Sequence, residues 1–198
     1  MNKTFLVVAV ITMFMTACKS QTVECPQEVF VQCASKIDIA TVKAIISLKQ
    51  HPDDECWENY EVASVKYENG EFELNEWNFE IVQDEYLLPI HENLINIVSD
   101  IQAKTVTISI LAYNSAGILI GHLFQKCGNW EVHYVYADRS FTQKGSIKYG
   151  ISVYEYDCSY DEGLNIAYSS VDLESRKYTT QKPLNEDCHW FFQSLCPD

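Results

Sequence analysis

From Lys104 onward, apolar residues recur at every second position in short runs parted by turn residues, and this feature constrains the fold most. A period of two sends successive side chains to opposite faces of a strand. Strands are expected at 105–113, 118–124, 130–137, 149–156 and 164–171. The turns between them hold Asn114-Ser115-Ala116-Gly117, Gly128-Asn129 and Asp161-Glu162-Gly163. Turns this short join antiparallel neighbours. Upstream, Asn69-Gly70 is a preferred two-residue hairpin turn joining 62–68 to 71–74, which places Glu68 opposite Glu71 and Tyr67 opposite Phe72.

Three segments carry helical spacing instead. Ile39, Val42, Ile45 and Ile46 share one face over 38–49, with Asp38 as the cap and His51-Pro52 as the stop. Leu87, Ile90, Leu94, Ile97, Val98 and Ile101 form a stripe over 87–102, with Pro89 in the first turn. A last short helix is expected at 184–195. The fold class that follows is α+β: an antiparallel meander of about seven strands with two or three helices packed on one face.

The N-terminus reads as an export signal. Lys3 precedes the uncharged run from Phe5 to Met15, which is too short to span a bilayer, a task needing ~20 residues. Met15-Thr16-Ala17-Cys18 resembles the bacterial lipobox. That resemblance implies a signal peptide over 1–17 and a lipid-bearing Cys18, with a tether over 18–35 and a single domain over 36–198. Acyl chains contribute ~0.8 kcal/mol per buried CH₂, enough for several chains to hold a soluble domain on a membrane. Lys19 replaces the Asp that marks inner-membrane retention in enterobacterial lipoproteins, so the resemblance favours the outer membrane, facing the periplasm.

Export also places the eight cysteines where disulfides persist. There is no C-x-x-C motif, so the cysteines are expected to be staples. The expected pairs are Cys25 or Cys33 with Cys56, Cys127 with Cys158, and Cys188 with Cys196.

The formal net charge is −14, and residues 51–100 alone hold fourteen acidic residues against the single base Lys66. Such a balance disfavours nucleic acid and favours a cationic protein partner. Within that segment, His51-Pro52-Asp53-Asp54-Glu55 resembles the HPDD(E) motif of zinc-dependent N-acetylglucosaminyl deacetylases. The resemblance implies His51 and Asp54 as zinc ligands and Asp53 as the base. That family also needs a downstream His-x-x-His-like motif and a Rossmann-like alternation of strands and helices, and this sequence carries neither. The string is therefore read as a solvated acidic loop.

A second pair comes from strand register. With residues 126–129 as the loop, His122 would face His133 across a hairpin, close enough to share a metal or act as a pH switch. Two ligands make a weak metal site, so surface histidines are preferred, and no metal, cofactor or catalytic residue is expected. The expected function is a non-enzymatic binding protein of the envelope. In general character it resembles immunity proteins and inhibitors of lysozyme-like enzymes. It would present Asp53, Asp54, Glu55, Glu58, Glu71 and Glu73 to a cationic partner. A zinc-dependent hydrolase and a purely structural lipoprotein are the alternatives.

Overall fold

The computed structural model describes residues 27–31, 37–48, 58–72, 82–171, 175–184 and 186–195. Thirteen strands run through them: β1 (Gln27–Val31), β2 (Thr41–Leu48), β3 (Glu58–Lys66), β4 (Glu71–Phe72), β5 (Leu88–Pro89), β6 (Lys104–Tyr113), β7 (Leu119–Cys127), β8 (Trp130–Ala137), β9 (Phe141–Tyr149), β10 (Ser152–Tyr160), β11 (Gly163–Val171), β12 (Ser175–Thr179) and β13 (Cys188–Ser194). Helical structure among the described residues is limited to two 3₁₀ turns, Asp84–Tyr86 and Glu92–Ile97. The expected α+β class is thus overturned in favour of a mixed β-sheet.

Each expected helix fails for a physical reason. The 38–49 segment contains β2, whose Val42, Ala44 and Ile46 alternate toward the core while Ile45 is buried on the other face. A strand covered on both faces reads as a continuous apolar run, which periodicity cannot separate from a buried helix. Its Val and Ile side chains are stiff at χ1 and favour the strand. In 87–102, Pro89 lies in β5 and only Glu92–Ile97 turns, as 3₁₀. The supposed stripe does not face one core: Leu87 is buried while Ile101 is 57% exposed. The 184–195 segment holds β13, where Trp190, Phe191 and Phe192 suit a pleated surface.

β6 is the centre of the sheet. Along one edge it pairs with β2 at Ser109–Tyr113 and with β5 at Lys104 and Thr105. Along the other edge it pairs with two strands in succession: Thr105–Ile108 with β8, then Ile110–Tyr113 with β7. The sheet therefore forks. One branch runs β7-β13-β1-β4, the other β8-β11-β12-β10-β9, and β3 flanks β2. The β1–β13 and β10–β12 pairs are parallel, so the topology is not the simple meander expected.

Several turns match the sequence reading. Asn69 and Gly70 take φ of 56° and 91°, and Glu68 and Glu71 exchange both backbone hydrogen bonds at 3.0 Å. The hairpin stops there. Tyr67 donates its amide to Ala40 and β4 pairs with β1, so the expected Tyr67–Phe72 pairing does not form. The expected strand at 149–156 straddles a turn: Gly150, at φ 64°, separates β9 from β10.

The core lies on one face of the fork. Val106, Ile108, Ile110 and Ala112 of β6 meet Leu123, Val132, Tyr134 and Trp190. Trp190 is completely buried, stacked on Tyr134 at 6.0 Å and edge-on to Phe72 at 5.0 Å. Cys127 and Cys188 sit directly opposite each other on β7 and β13 and are disulfide-bonded. This corrects the expected Cys127–Cys158 and Cys188–Cys196 bridges, and Cys158 is a buried free thiol. Cys25, Cys33, Cys56 and Cys196 lie outside the described residues.

The bridge spans 61 residues of sequence, and closing a loop of that length in the unfolded chain is worth about 4 kcal/mol. Replacing both Cys127 and Cys188 by Ser should lower the urea-unfolding free energy by about 2–5 kcal/mol. An unchanged midpoint would show that the bridge does not restrain the fork. Gly121→Ala should destabilise by about 1–3 kcal/mol by the same assay, because overpacking a full core forces neighbours to move. A Cβ there would overlap the Gln193 carbonyl and the Phe192 ring.

Candidate functional site

Two places concentrate chemistry: the acidic edge of the sheet and the cleft at the fork. The edge is β3, which pairs with β2 alone among the described residues. Its exposed Glu58 accepts a short hydrogen bond from Tyr60. Tyr60 stacks on Tyr86 at 4.1 Å, and desolvation and the neighbouring Glu85 carboxylate push the Tyr86 phenol up. The hydrogen bond to Glu58, desolvation and the surrounding carboxylates push the Tyr60 phenol up to about 12. Glu61 pairs with Lys43 at 2.7 Å.

Of the expected binding residues, Glu58 and Glu71 are described. Glu58 opens β3, whereas Glu71 follows the turn beyond its far end. Eight residue steps at ~3.3 Å separate Glu58 from Lys66 alone, so the two glutamates do not form one patch. Glu85, which sequence spacing did not indicate, acts together with Glu58 on the Tyr60 and Tyr86 phenols. Cys18, His51, Asp53, Asp54, Glu55 and Glu73 lie outside the described residues.

The cleft opens where β7 and β8 part. Their ladder is only two pairs long, Lys126 opposite Glu131 and Cys127 opposite Trp130, closed by a Gly128-Asn129 turn with Gly128 at φ 57°. This corrects the expected register by two residues. The turn is two residues long, not four, and β6 then takes up both strands separately. His122 consequently lies opposite Leu111 on β6 and Gln193 on β13, while His133 lies opposite Ala167 on β11. They do not face each other, but both line the cleft, which encloses about 630 Å³. No group of three or more metal-ligating side chains occurs among the described residues.

Alternation sorts the cleft into a floor and a mouth. Ile108, Ile110, Leu123, Val132 and Trp190 are buried and form the floor, together with Tyr134, whose hydroxyl donates to Gln125 at 3.0 Å. Thr107, Ser109, His122, Lys126, Glu131, His133 and Gln193 form the mouth. The Lys126 ammonium lies 5.5 Å from the centroid of Phe124, which stacks on Phe191.

No protein-family model matches this chain, no curated protein matches it, and no solved structure matches it. Its chemistry has to be argued from its own geometry.

His133 Nε2 and Ser169 Oγ are 2.7 Å apart, the spacing of a nucleophile and its base. Ser169 has no exposed surface, so no substrate carbonyl can reach its Oγ. The pair is therefore an internal hydrogen bond that satisfies a buried hydroxyl. Tyr178 lies across from Ser169, tilted against the His133 ring, stacked on Tyr156 at 4.9 Å and within 3.4 Å of Arg176. Neither β12 nor this cluster was legible in sequence, because Ser175–Thr179 carries no clear alternation.

Burial lowers the His133 pKa from its ordinary 6.5; Glu131 opposes the shift and Arg176 adds to it. With the folded value below the unfolded one, the neutral ring contributes fully above about pH 6.5, and that contribution is lost as pH falls below it. Unfolding free energy should thus decline between about pH 7 and pH 5, and His133→Gln should flatten this part of the profile. Identical profiles for the two proteins would mean that His133 is solvated.

Proposed function

We propose that this chain is an envelope lipoprotein, anchored through lipid on Cys18, that works as a non-enzymatic binding protein for a cationic partner protein. The manner would be that of an immunity protein or an inhibitor. The observation that carries the reading is the acid-bearing edge. β3 ends the sheet among the described residues, with Glu58 and Glu61 along it and Glu85 brought alongside through the Tyr60–Tyr86 stack.

An edge strand offers a row of backbone donors and acceptors to another chain. Acids along it repel a second copy of this chain and attract a basic one. The tyrosines add rigid contact area at small entropic cost. The partner meets a stripe, because Glu71 stands beyond the far end of β3. No observation favours the deacetylase reading, whose His51, Asp53 and Asp54 lie outside the described residues.

Two measurements test this. Cys18→Ala should move the protein from the membrane fraction to the soluble periplasmic fraction, and mass spectrometry of the wild-type N-terminal peptide should show acyl chains. Unmodified Cys18 in membrane-free protein would remove the anchor. For the edge, a soluble form beginning at Lys19 should retain a basic envelope or secreted protein that elutes as salt rises. The triple variant Glu58→Gln, Glu61→Gln, Glu85→Gln should bind it roughly tenfold more weakly at low salt, given about 0.2–1 kcal/mol per exposed charge. Salt-insensitive retention, or no response to the triple variant, would defeat the edge reading.

A further inference from the structure

We propose that the cleft at the fork is a binding site for a small zwitterion, an apolar amino acid or dipeptide with both ends free. The inference is independent of the acidic edge and rests on three observations. First, Lys126 and Glu131 occupy directly opposite positions at the mouth. Opposite charges so placed have Cβ atoms about 4.5–5.5 Å apart and normally attract. Here the ammonium lies over the Phe124 ring instead, while the Glu131 carboxylate acts on His133 and Arg176. The mouth thus offers a cation and an anion at directly opposite strand positions, with Arg176 of β12 also in the field of Glu131.

Second, the floor beneath them is apolar: Ile108, Ile110, Leu123 and Val132 are each less than a tenth exposed and all line the same cavity. A molecule held at the mouth by both of its charges places whatever lies between or beside them on that floor. An aliphatic or aromatic side chain gains from the burial, at about 25 cal/mol per Å² of apolar surface removed from water. Third, the volume of about 630 Å³ lies within the range of small-molecule sites.

The chemistry excludes other classes. A ligand with a single charge can pair with only one of Lys126 and Glu131. A purely apolar ligand covers both without pairing either, which costs desolvation free energy. A molecule carrying an ammonium and a carboxylate at short separation, plus an apolar group, matches all three features. The carboxylate meets Lys126, with His122 on the same strand, and the ammonium meets Glu131, with His133 beside it on β8.

The test uses the full mature chain with its disulfide intact, followed by calorimetry and by tryptophan fluorescence, to which Trp190 in the floor contributes alongside the chain's three other tryptophans. L-leucine, L-phenylalanine and L-leucyl-L-leucine are titrated beside N-acetyl-leucine and leucinamide, each of which lacks one charge. At least one free-ended compound should bind saturably, and both blocked leucines should bind at least tenfold more weakly than leucine. Lys126→Gln and Glu131→Gln should each weaken binding at least tenfold. Both replaced residues are half-buried at the mouth, and an unchanged melting temperature would show that the fold survives. No saturable binding by any of the three overturns the proposal, as does equal binding of the blocked analogues. Either failure leaves the edge reading standing, since that reading is measured with a protein partner.

Discussion

A strand has only two edges, and β6 has to serve four neighbours. Its β2 and β5 edge is shared end to end, and so is the other, where β8 pairs with 105–108 and β7 with 110–113. β7 and β8 cannot both lie beside β6 at one level, because each residue offers its backbone groups to one side at a time. The chain between them, Phe124 to His133, must leave the β6 ladder as a hairpin of its own. That hairpin splits the sheet into two branches and leaves a space where they separate. The cleft is therefore a consequence of strand pairing, and the Cys127–Cys188 bridge ties the tip of the hairpin to β13.

A split sheet risks a void between its branches, and an aromatic layer fills it. Trp190 on one branch stacks against Tyr134 on the other, their planes within 5° of parallel, while Phe72 closes the far side edge-on. Large aromatic side chains bury 150–250 Å² each, which makes them the efficient choice for joining two surfaces that diverge. Burying the Tyr134 hydroxyl without a partner would cost free energy; the Gln125 side-chain carbonyl accepts its hydrogen bond and removes that cost. Burial holds this phenol well above its usual pKa, so it remains a donor throughout the physiological range.

How much of this was legible in the sequence depended on whether the signal was local. The expected strand at 130–137 matches β8, and the Asn69-Gly70 turn forms with Glu68 opposite Glu71. These rest on alternation and on φ preferences, both carried by adjacent residues. The helices failed where tertiary burial altered the period: Ile45 is buried on the face opposite Val42, Ala44 and Ile46, so β2 lost its alternation. β12 was missed because it borrows its order from β10 and β11, pairing in parallel with one and antiparallel with the other. For the cleft, sequence singled out His122 and His133 from a register two residues off. They do meet in one cavity, but through the separation of their strands and not through cross-strand pairing. Nothing local to Lys126 or Glu131 announced that they would face each other across its mouth.

The two charged regions also differ in what their charges must accomplish. On β3 the carboxylates are exposed and their individual contributions to binding are small, typically below 1 kcal/mol. Several must act together, and salt weakens them all. Lys126 and Glu131 are half-buried beside an apolar floor, where screening is weaker and a single pair counts for more. Under the proposed lipid anchoring, a weak edge is sufficient. Confinement to a membrane surface raises the effective concentration of a partner held in the same compartment, so that modest, fast, electrostatically steered contacts are occupied without a large buried interface. An acidic edge suits that situation for a further reason: anchored copies are concentrated as well, and the same charges keep their open strand edges from pairing with one another.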